Sequence, residues 1–356
     1  MKIIHTADLH LGSPLGGAIP AEKIPERRNE LLGTFIRLCD YADANGYELV
    51  LLAGDVFDGD LPPRDDKEFF YSAIKKHPNV KFLYLKGNHD SMTSYTESIP
   101  NLLTFGSEWS CYRVGDVCVY GIELPESNKR AAAETLVCNP DDINIVMLHG
   151  QIGGSSDDIV VKDYAGKGID YMALGHVHGY TYGDIDARGK YVYSGCLEGR
   201  GFDEAGQKGF VEIDTDLGVG HRFRPFASRN IHICEVDVSD VSDKPDALAK
   251  GIAATASFPK DDIVRIVFKG EVSFDTAGLA LSAQTYLKNS FYHVTVKDLT
   301  KTKPDIESIA KEESLAGEFV RLAAEADFPE GCDRGRVLTI GLKALYGELS
   351  EYRKER

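Results

Sequence analysis

Lys81-Phe82-Leu83-Tyr84-Leu85-Lys86-Gly87-Asn88-His89-Asp90 is an apolar, aromatic-rich strand that stops at a glycine and then presents an amide, an imidazole and a carboxylate. In open α/β sheets ligands bind at the carboxyl edge of the strands, so this stretch predicts chemistry at such an edge. The same layout recurs along the chain. Lys2-Ile3-Ile4-His5-Thr6-Ala7 reads as a short buried strand followed by Asp8-Leu9-His10, and Leu49-Val50-Leu51-Leu52-Ala53 runs into Gly54-Asp55-Val56-Phe57-Asp58. Farther on, Ile143–Leu148 ends at His149-Gly150, and Asp170–Leu174 ends at Gly175-His176-Val177-His178. A continuous apolar run such as Leu49–Ala53 is what a strand covered on both faces requires.

Between the first strands the spacing is helical. Leu31, Leu32, Phe35, Ile36, Cys39 and Ala42 recur at the period of a helix that Pro25 can open and Gly46 can stop. A second helix runs through Phe69, Phe70 and Ile74, while Leu11–Pro20 and Pro62-Pro63 read as loops. From about Cys111 the pattern changes to short strands, which predicts two sheets packed face to face with helices outside. Residues 228–300 read as strand, helix, strand, helix, strand, a small α+β domain without clustered ligand-type side chains. Residues 301–356 read as a helical tail, with Leu315, Phe319, Leu322 and Ala323 along one stripe and Val337, Ile340, Leu342, Leu345 and Tyr346 along another. The expected division is 1–227, 228–300 and 301–356.

No run approaches the ~18 apolar residues of a membrane span, and the chain enters a strand at once, without the layout of a secretory signal. Seven scattered cysteines, with no Cys-x-x-Cys, fit reduced thiols in a cytoplasmic protein. The formal net charge of -16 disfavours holding nucleic acid by bulk charge alone. A nucleic-acid role needs local basic patches, bound cations or a partner subunit.

Collected from the strand ends, Asp8, His10, Asp55, Asn88, His89, His149, His176 and His178 make a set of imidazoles, carboxylates and one amide oxygen. Such donors suit borderline-to-hard divalent ions and lack the thiolates of structural zinc. They are too many for one ion and suit two ions ~3.5–4 Å apart sharing a carboxylate. In extended backbone an i, i+2 pair such as Asp8/His10 or His176/His178 points both side chains the same way. A single Asp-x-His or His-x-His is usually a surface or capping pair, and His5 reads as core. The recurrence at five strand ends is what separates this set from coincidence.

Asp8-x-His10, Gly54-Asp55-x-x-Asp58, Gly87-Asn88-His89-Asp90, His149 and Gly175-His176-x-His178 resemble the five signature blocks of the calcineurin-like metallophosphoesterases, spread over residues 1 to about 200. His5–Gly12, Gly54–Asp58, Tyr193-Ser194-Gly195-Cys196-Leu197-Glu198 and Lys208-Gly209-Phe210 are further similar to the SbcD-type DNA double-strand-break repair exonucleases, nuclease subunits that work with an SMC-like ATPase. The resemblance implies a four-layer α-β-β-α sandwich carrying a two-metal site, with residues 228–300 as a capping domain that selects DNA shape. One ion would be held by Asp8, His10, Asp55 and His178, and the other by Asp55, Asn88, His149 and His176, with Asp55 bridging. His89 would face the scissile phosphate as proton donor, oriented by Asp58. Manganese is the expected ion, with iron, zinc and magnesium as alternatives.

The implied reaction is hydrolysis of DNA phosphodiesters, as exonuclease and endonuclease, by in-line attack of a water that the two ions acidify. Arg27 and Arg28 are the first choice for phosphate contacts, with Arg64 and Arg200 behind them. The expected partners are DNA and an SMC-like ABC ATPase docked on the helical tail, since the chain has no Walker A motif of its own. A homodimer is compatible with this reading and a membrane is not. The alternative is a small-molecule phosphodiesterase or phosphatase of the same superfamily, which the acidic charge favours.

Overall fold

The computed structural model describes residues 1–15, 19–59, 63–90, 98–124, 129–216, 218–329 and 331–347. Pro62, the middle of the Leu11–Pro20 loop and the last nine positions of the expected tail lie outside them. Two compact units divide the chain: Met1–Ile233 with Asp261–Ile263, and Cys234–Lys260 with Val264–Arg356.

The first unit holds two six-stranded sheets. Strands β1 (Lys2–Thr6), β2 (Leu49–Ala53), β3 (Lys81–Leu85) and β4 (Leu102–Thr104) open the first sheet. The second is built from β5 (Ser110–Val114), β6 (Val117–Gly121), β7 (Ile143–His149), β8 (Tyr171–Gly175), β9 (Thr181–Asp184) and β10 (Lys190–Tyr193). The chain then returns to the first sheet with β11 (Gly209–Asp214) and β12 (Gly220–Pro225). The strand orders are β12-β11-β1-β2-β3-β4 and β5-β6-β7-β8-β10-β9. Parallel pairing of β1 with β2 and β2 with β3, and of β7 with β8, puts all five predicted ligand loops at carboxyl ends.

The apolar runs explain why these strands are central. Successive side chains of a strand point to opposite faces, and in β2 Leu49, Leu51 and Ala53 enter one core while Val50 and Leu52 enter another. The first of these cores lies between the sheets, where Ile3 and Leu83 meet Val119, Ile145, Met147 and Ala173. The second joins the outer face of the first sheet to α1 (Ile24–Ala44) and α2 (Arg64–Lys75), through Leu31, Phe35, Phe70 and Ile74. On the far side, Val146, Leu148, Met172 and Leu174 pack with Ala133 of α3 (Arg130–Thr135) and with Tyr164. Helix, sheet, sheet and helix are therefore stacked as four layers. His5 belongs to the intersheet core: its Nδ1 lies 2.9 Å from the Tyr171 hydroxyl, and burial holds its imidazole neutral, down at about 3.

The second unit is organised around a three-stranded sheet, β13 (Ile231–Asp237), β14 (Ile263–Val272) and β15 (His293–Thr302) in that order, packed against α4 (Lys244–Thr255) and α5 (Leu279–Leu287). Helices α6 (Ile306–Ala310), α7 (Leu315–Glu325) and α8 (Arg334–Leu345) follow in the same unit. They share a small cluster of Ile309, Val320 and Leu342, against which Phe319 packs, while Leu315 and Leu322 stay exposed. No described helix is long and apolar enough to cross a membrane.

Candidate metal centre

The loops after β1 and β2 are laced together by their backbones. Asp8 N donates to Gly54 O at 3.0 Å, His10 N to Asp55 O at 3.0 Å, and Leu11 N to Val56 O at 2.8 Å. The β3 loop is fastened by Asp90, whose buried carboxylate accepts from Val56 N at 2.8 Å, from Gly87 N at 2.6 Å and from the Tyr84 hydroxyl. The β8 loop joins through His176 N, which donates to the Asp8 carboxylate at 3.0 Å.

This lacing demands unusual backbone. Non-glycine residues seldom adopt positive φ, and holding one there costs about 1–3 kcal/mol. Among the described residues five do so: Asp8 at 53°, His10 at 45°, Leu15 at 54°, Asp55 at 51° and His176 at 102°. Four of these five belong to the predicted ligand set, so strain is concentrated where the side chains must converge. The glycines allow the close approach. A Cβ on Gly87 would sit 2.1 Å from Asp55 Oδ1, and one on Gly54, itself at φ +93°, would sit 2.1 Å from His149 Nδ1.

Three groups of ligand-type side chains result, one of them His10, Asp58 and His89, and the other two carry the predicted ligands. Asp8, His10 and His178 offer ligand atoms within 4.8 Å of one another, as do Asp55, His149 and His176. Asp55 links the groups: its Oδ2 is 3.3 Å from His149 Nε2 and 3.9 Å from His10 Nε2. Asn88 Oδ1 joins the second group, 3.1 Å from His149 Nε2 and 3.2 Å from His176 Nδ1. His89 and Asp58 stand beside the first group, with His89 Nδ1 2.9 Å from Asp58 Oδ1 and the His89 and His10 rings 4.9 Å apart.

The outer partners decide which imidazole nitrogen faces inward. His149 Nδ1–H donates to the Ala53 carbonyl at 2.9 Å, so its Nε2 is the nitrogen that faces Asp55 and Asn88. His178 Nδ1–H donates to Glu204 Oε1 at 2.7 Å, so its Nε2 lone pair faces the first group. His10 Nδ1 is 3.4 Å from Asp58 Oδ1 and has no better partner, which again turns Nε2 inward. The Nε2 atoms of His10 and His178 are then only 3.2 Å apart. Two ring nitrogens at that separation share either a proton or a cation, and an imidazole whose outer N–H is held by a carboxylate is the usual form of a metal ligand. The residues present fit two divalent ions.

The electrostatics agree. Burial pushes Asp55 up, yet the hydrogen bond to His149 and the His89 N–H outweigh it and hold the carboxyl at about 2. His149 is pushed down by burial, but Asp55 lifts it to about 9. His10, Ser13 and Arg200 hold Asp58 well below the usual carboxylate range. Asp8 is raised by burial against the pull of His149 and His178. Densely opposed charges of this kind mark functional sites.

The phosphate contacts need correction. Arg27 is 1% exposed, ion-paired with Glu30 and Glu198, and donates to Gly199 O at 2.8 Å. It fastens α1 to the loop after β10 and cannot reach a phosphate. Arg28 keeps a 39% exposed side chain, with Nη2 3.5 Å from Asp66 Oδ2. Arg64 is exposed and paired with Glu68. Arg200 turns inward, to Glu204 at 2.6 Å and Asp58 at 3.6 Å. Sequence reasoning missed Glu204 altogether. It brings a buried carboxylate to both His178 and Arg200, and only its i, i+4 spacing from Arg200 hinted at a role.

The calcineurin-like phosphoesterase family model matches residues 1–180. An uncharacterized metallophosphoesterase of Bacillus subtilis, YhaO, is 22% identical over 293 residues, covering 76% of this chain and 69% of its own. Among solved structures, a dimetal phosphatase from Danio rerio aligns at a TM-score of 0.39 and 10% identity, over 62% of this chain and 96% of its own. An NAD+ synthetase from Acinetobacter baumannii aligns at 0.32 and 11%, over 97% and 73%. With half the chain matched by the family model and the family's donor residues gathered at one edge of the sandwich, the protein belongs to the calcineurin-like phosphoesterases and is a hydrolase of phosphate esters.

Proposed function

We propose that the protein is a manganese-dependent DNA exonuclease and endonuclease of the SbcD type. The reading is carried by the convergence of His10 and His178 Nε2 at 3.2 Å beside Asp8 and Asp55, a donor geometry for a divalent pair. The narrower choice of DNA is supported by the resemblance of the Tyr193–Glu198 and Lys208–Phe210 segments to those of the SbcD-type nucleases; of these, Lys208 touches the site, its Nζ donating to His178 O at 2.6 Å. Asp8, His10, Asp55 and His178 would hold one ion, and Asp55, Asn88, His149 and His176 the other. The bound pair would neutralise the phosphate oxygens and acidify the attacking water.

The chain's own residues supply the rest. His89 Nδ1–H is held by Asp58, so Nε2 is the atom left to carry a proton to the leaving oxygen. Its side chain is 45% exposed, open enough to meet a polymer end. The same geometry serves a small phosphodiester, and the charge of -16 favours that second reading. A nuclease reading also calls for a separate SMC-like ATPase, for which the exposed Leu315 and Leu322 on α7 are the proposed docking residues.

The test is degradation of single- and double-stranded DNA with manganese and its loss with EDTA. Hydrolysis of a nucleotide monoester with oligonucleotides left intact would reject the nuclease and leave the small-ester reading.

A further inference from the structure

A cavity of about 420 Å³ opens directly off the second donor group, its inner end formed by Asn88, His149 and His176. Lys129, at the start of α3, lines its wall together with Lys86 and Glu123. Lys129 is partly buried and enters no ion pair among the described residues. Its ammonium lies over Gly150, where an added Cβ would come within 3.3 Å of Nζ. It is close enough for its charge to act on both His176 and Asp158. A partly buried ammonium with no carboxylate at ion-pair distance among the described residues is free to take an anion carried by a ligand.

The cavity and His89 lie on different flanks of the centre. His89 packs on His10 and Asp58, the first group, and none of these three lines the cavity. In an in-line displacement the attacking and leaving oxygens are opposed, and the retained ester group projects sideways from that axis. With the leaving oxygen at His89, the retained group has the cavity beside Asn88 to enter. Its volume lies within the range of sites that take one small molecule, which suits a single nucleoside and excludes a duplex.

We infer that this cavity is the subsite for the ester group that stays on the phosphate, and that Lys129 binds a second anionic group carried by it, such as the next phosphate of a nucleotide chain. The inference rests on the phosphodiesterase reading above. In the step it serves, a bond forms from the water oxygen to phosphorus while the water gives up a proton to solvent, the bond to the leaving oxygen breaks, the proton from His89 goes to that oxygen, and His89 regains a proton from solvent. Lys129 takes no part in the proton transfer; it positions the substrate.

The test is calorimetric titration of the full chain, in manganese, with thymidine 5′-monophosphate and with thymidine 3′,5′-bisphosphate. The bisphosphate is expected to bind at least about tenfold more tightly, about 1.4 kcal/mol. Lys129→Met abolishes that preference and Lys129→Arg keeps most of it. Equal binding by the unmodified protein overturns the inference, as does a preference that survives in Lys129→Met. Turnover of bis(4-nitrophenyl) phosphate is measured alongside. Its absence with the preference intact rejects the diesterase reading and keeps only the anion contact at Lys129; its presence without the preference keeps the diesterase reading and overturns the subsite.

Discussion

The two halves of the centre are built from the same residue types and differ in what stands behind them. Around Asp8, His10 and His178 the surroundings are closer: Asp8 and His10 are buried, His178 is partly buried, and Glu204, Arg200 and Asp58 form a charged brace outside the imidazoles. Around Asp55, Asn88, His149 and His176 the outer partners are neutral, a backbone carbonyl and an amide, and His176 opens to the cavity. A carboxylate behind an imidazole raises its basicity and fixes its direction. The closed half is therefore suited to hold an ion tightly. The open half is suited to exchange with ligand. A two-ion site does not need two equal ions.

That asymmetry can be broken at its hinge. Asp55→Asn removes the carboxylate whose Oδ2 faces an imidazole of each half, and turnover is expected to fall by at least about 10⁴-fold. Elemental analysis should show both ions depleted; loss of only one would mean that Asp55 does not bridge. His89→Ala should cost on the order of 10²–10⁴-fold in turnover, the range for a lost general acid, with both ions kept. A fall in metal content would reassign His89 as a ligand.

Glu204→Gln sharpens the comparison further. Breaking the carboxylate behind His178 should weaken one ion about 10–100-fold and leave the other unchanged in a two-site metal titration. Equal weakening of both would show that the halves are not separately braced. The smallest effect is expected far from either half, at Glu212 on β11. Burial pushes this carboxyl up, but Arg224, Tyr47, Arg222 and Tyr41 hold it down at about 2. A depressed folded pKa contributes stability above the unfolded value of about 4.3, and that contribution is lost as pH falls through about 2. Glu212→Gln should therefore lower the melting temperature by roughly 2–4 °C at neutral pH and by progressively less in acid. An unchanged acid slope would show that the network contributes nothing.

Much of the molecule was legible along the chain because its signals are local. The runs Leu49–Ala53 and Lys81–Leu85 are apolar at every core-facing position, since each strand is covered on both faces, and each stops where polar groups begin. Asp8, His10, Asp55, Asn88, His149, His176 and His178 were nameable from that rule alone. Arg27 was misread because its position after the Asp8 loop carries no sign of burial; an arginine takes its meaning from the carboxylates that fold against it, here Glu30 and Glu198. Glu204 went unseen for the same reason, and so did the cavity beside Asn88, whose walls come from the ends of β3, β4, β6, β7 and β8 and from the start of α3.

By itself the sequence determined which side chains stand at strand ends, because burial and backbone hydrogen bonding impose periodicities that can be read over a few residues. Tertiary structure decided what those side chains do to one another. The order of the two sheets brings His178 to His10 across 168 positions, places a carboxylate behind one imidazole and a carbonyl behind another, and leaves Lys129 outside any ion pair among the described residues. Electrostatic forces act through space over a few ångströms, and separation along the chain carries no information about that distance.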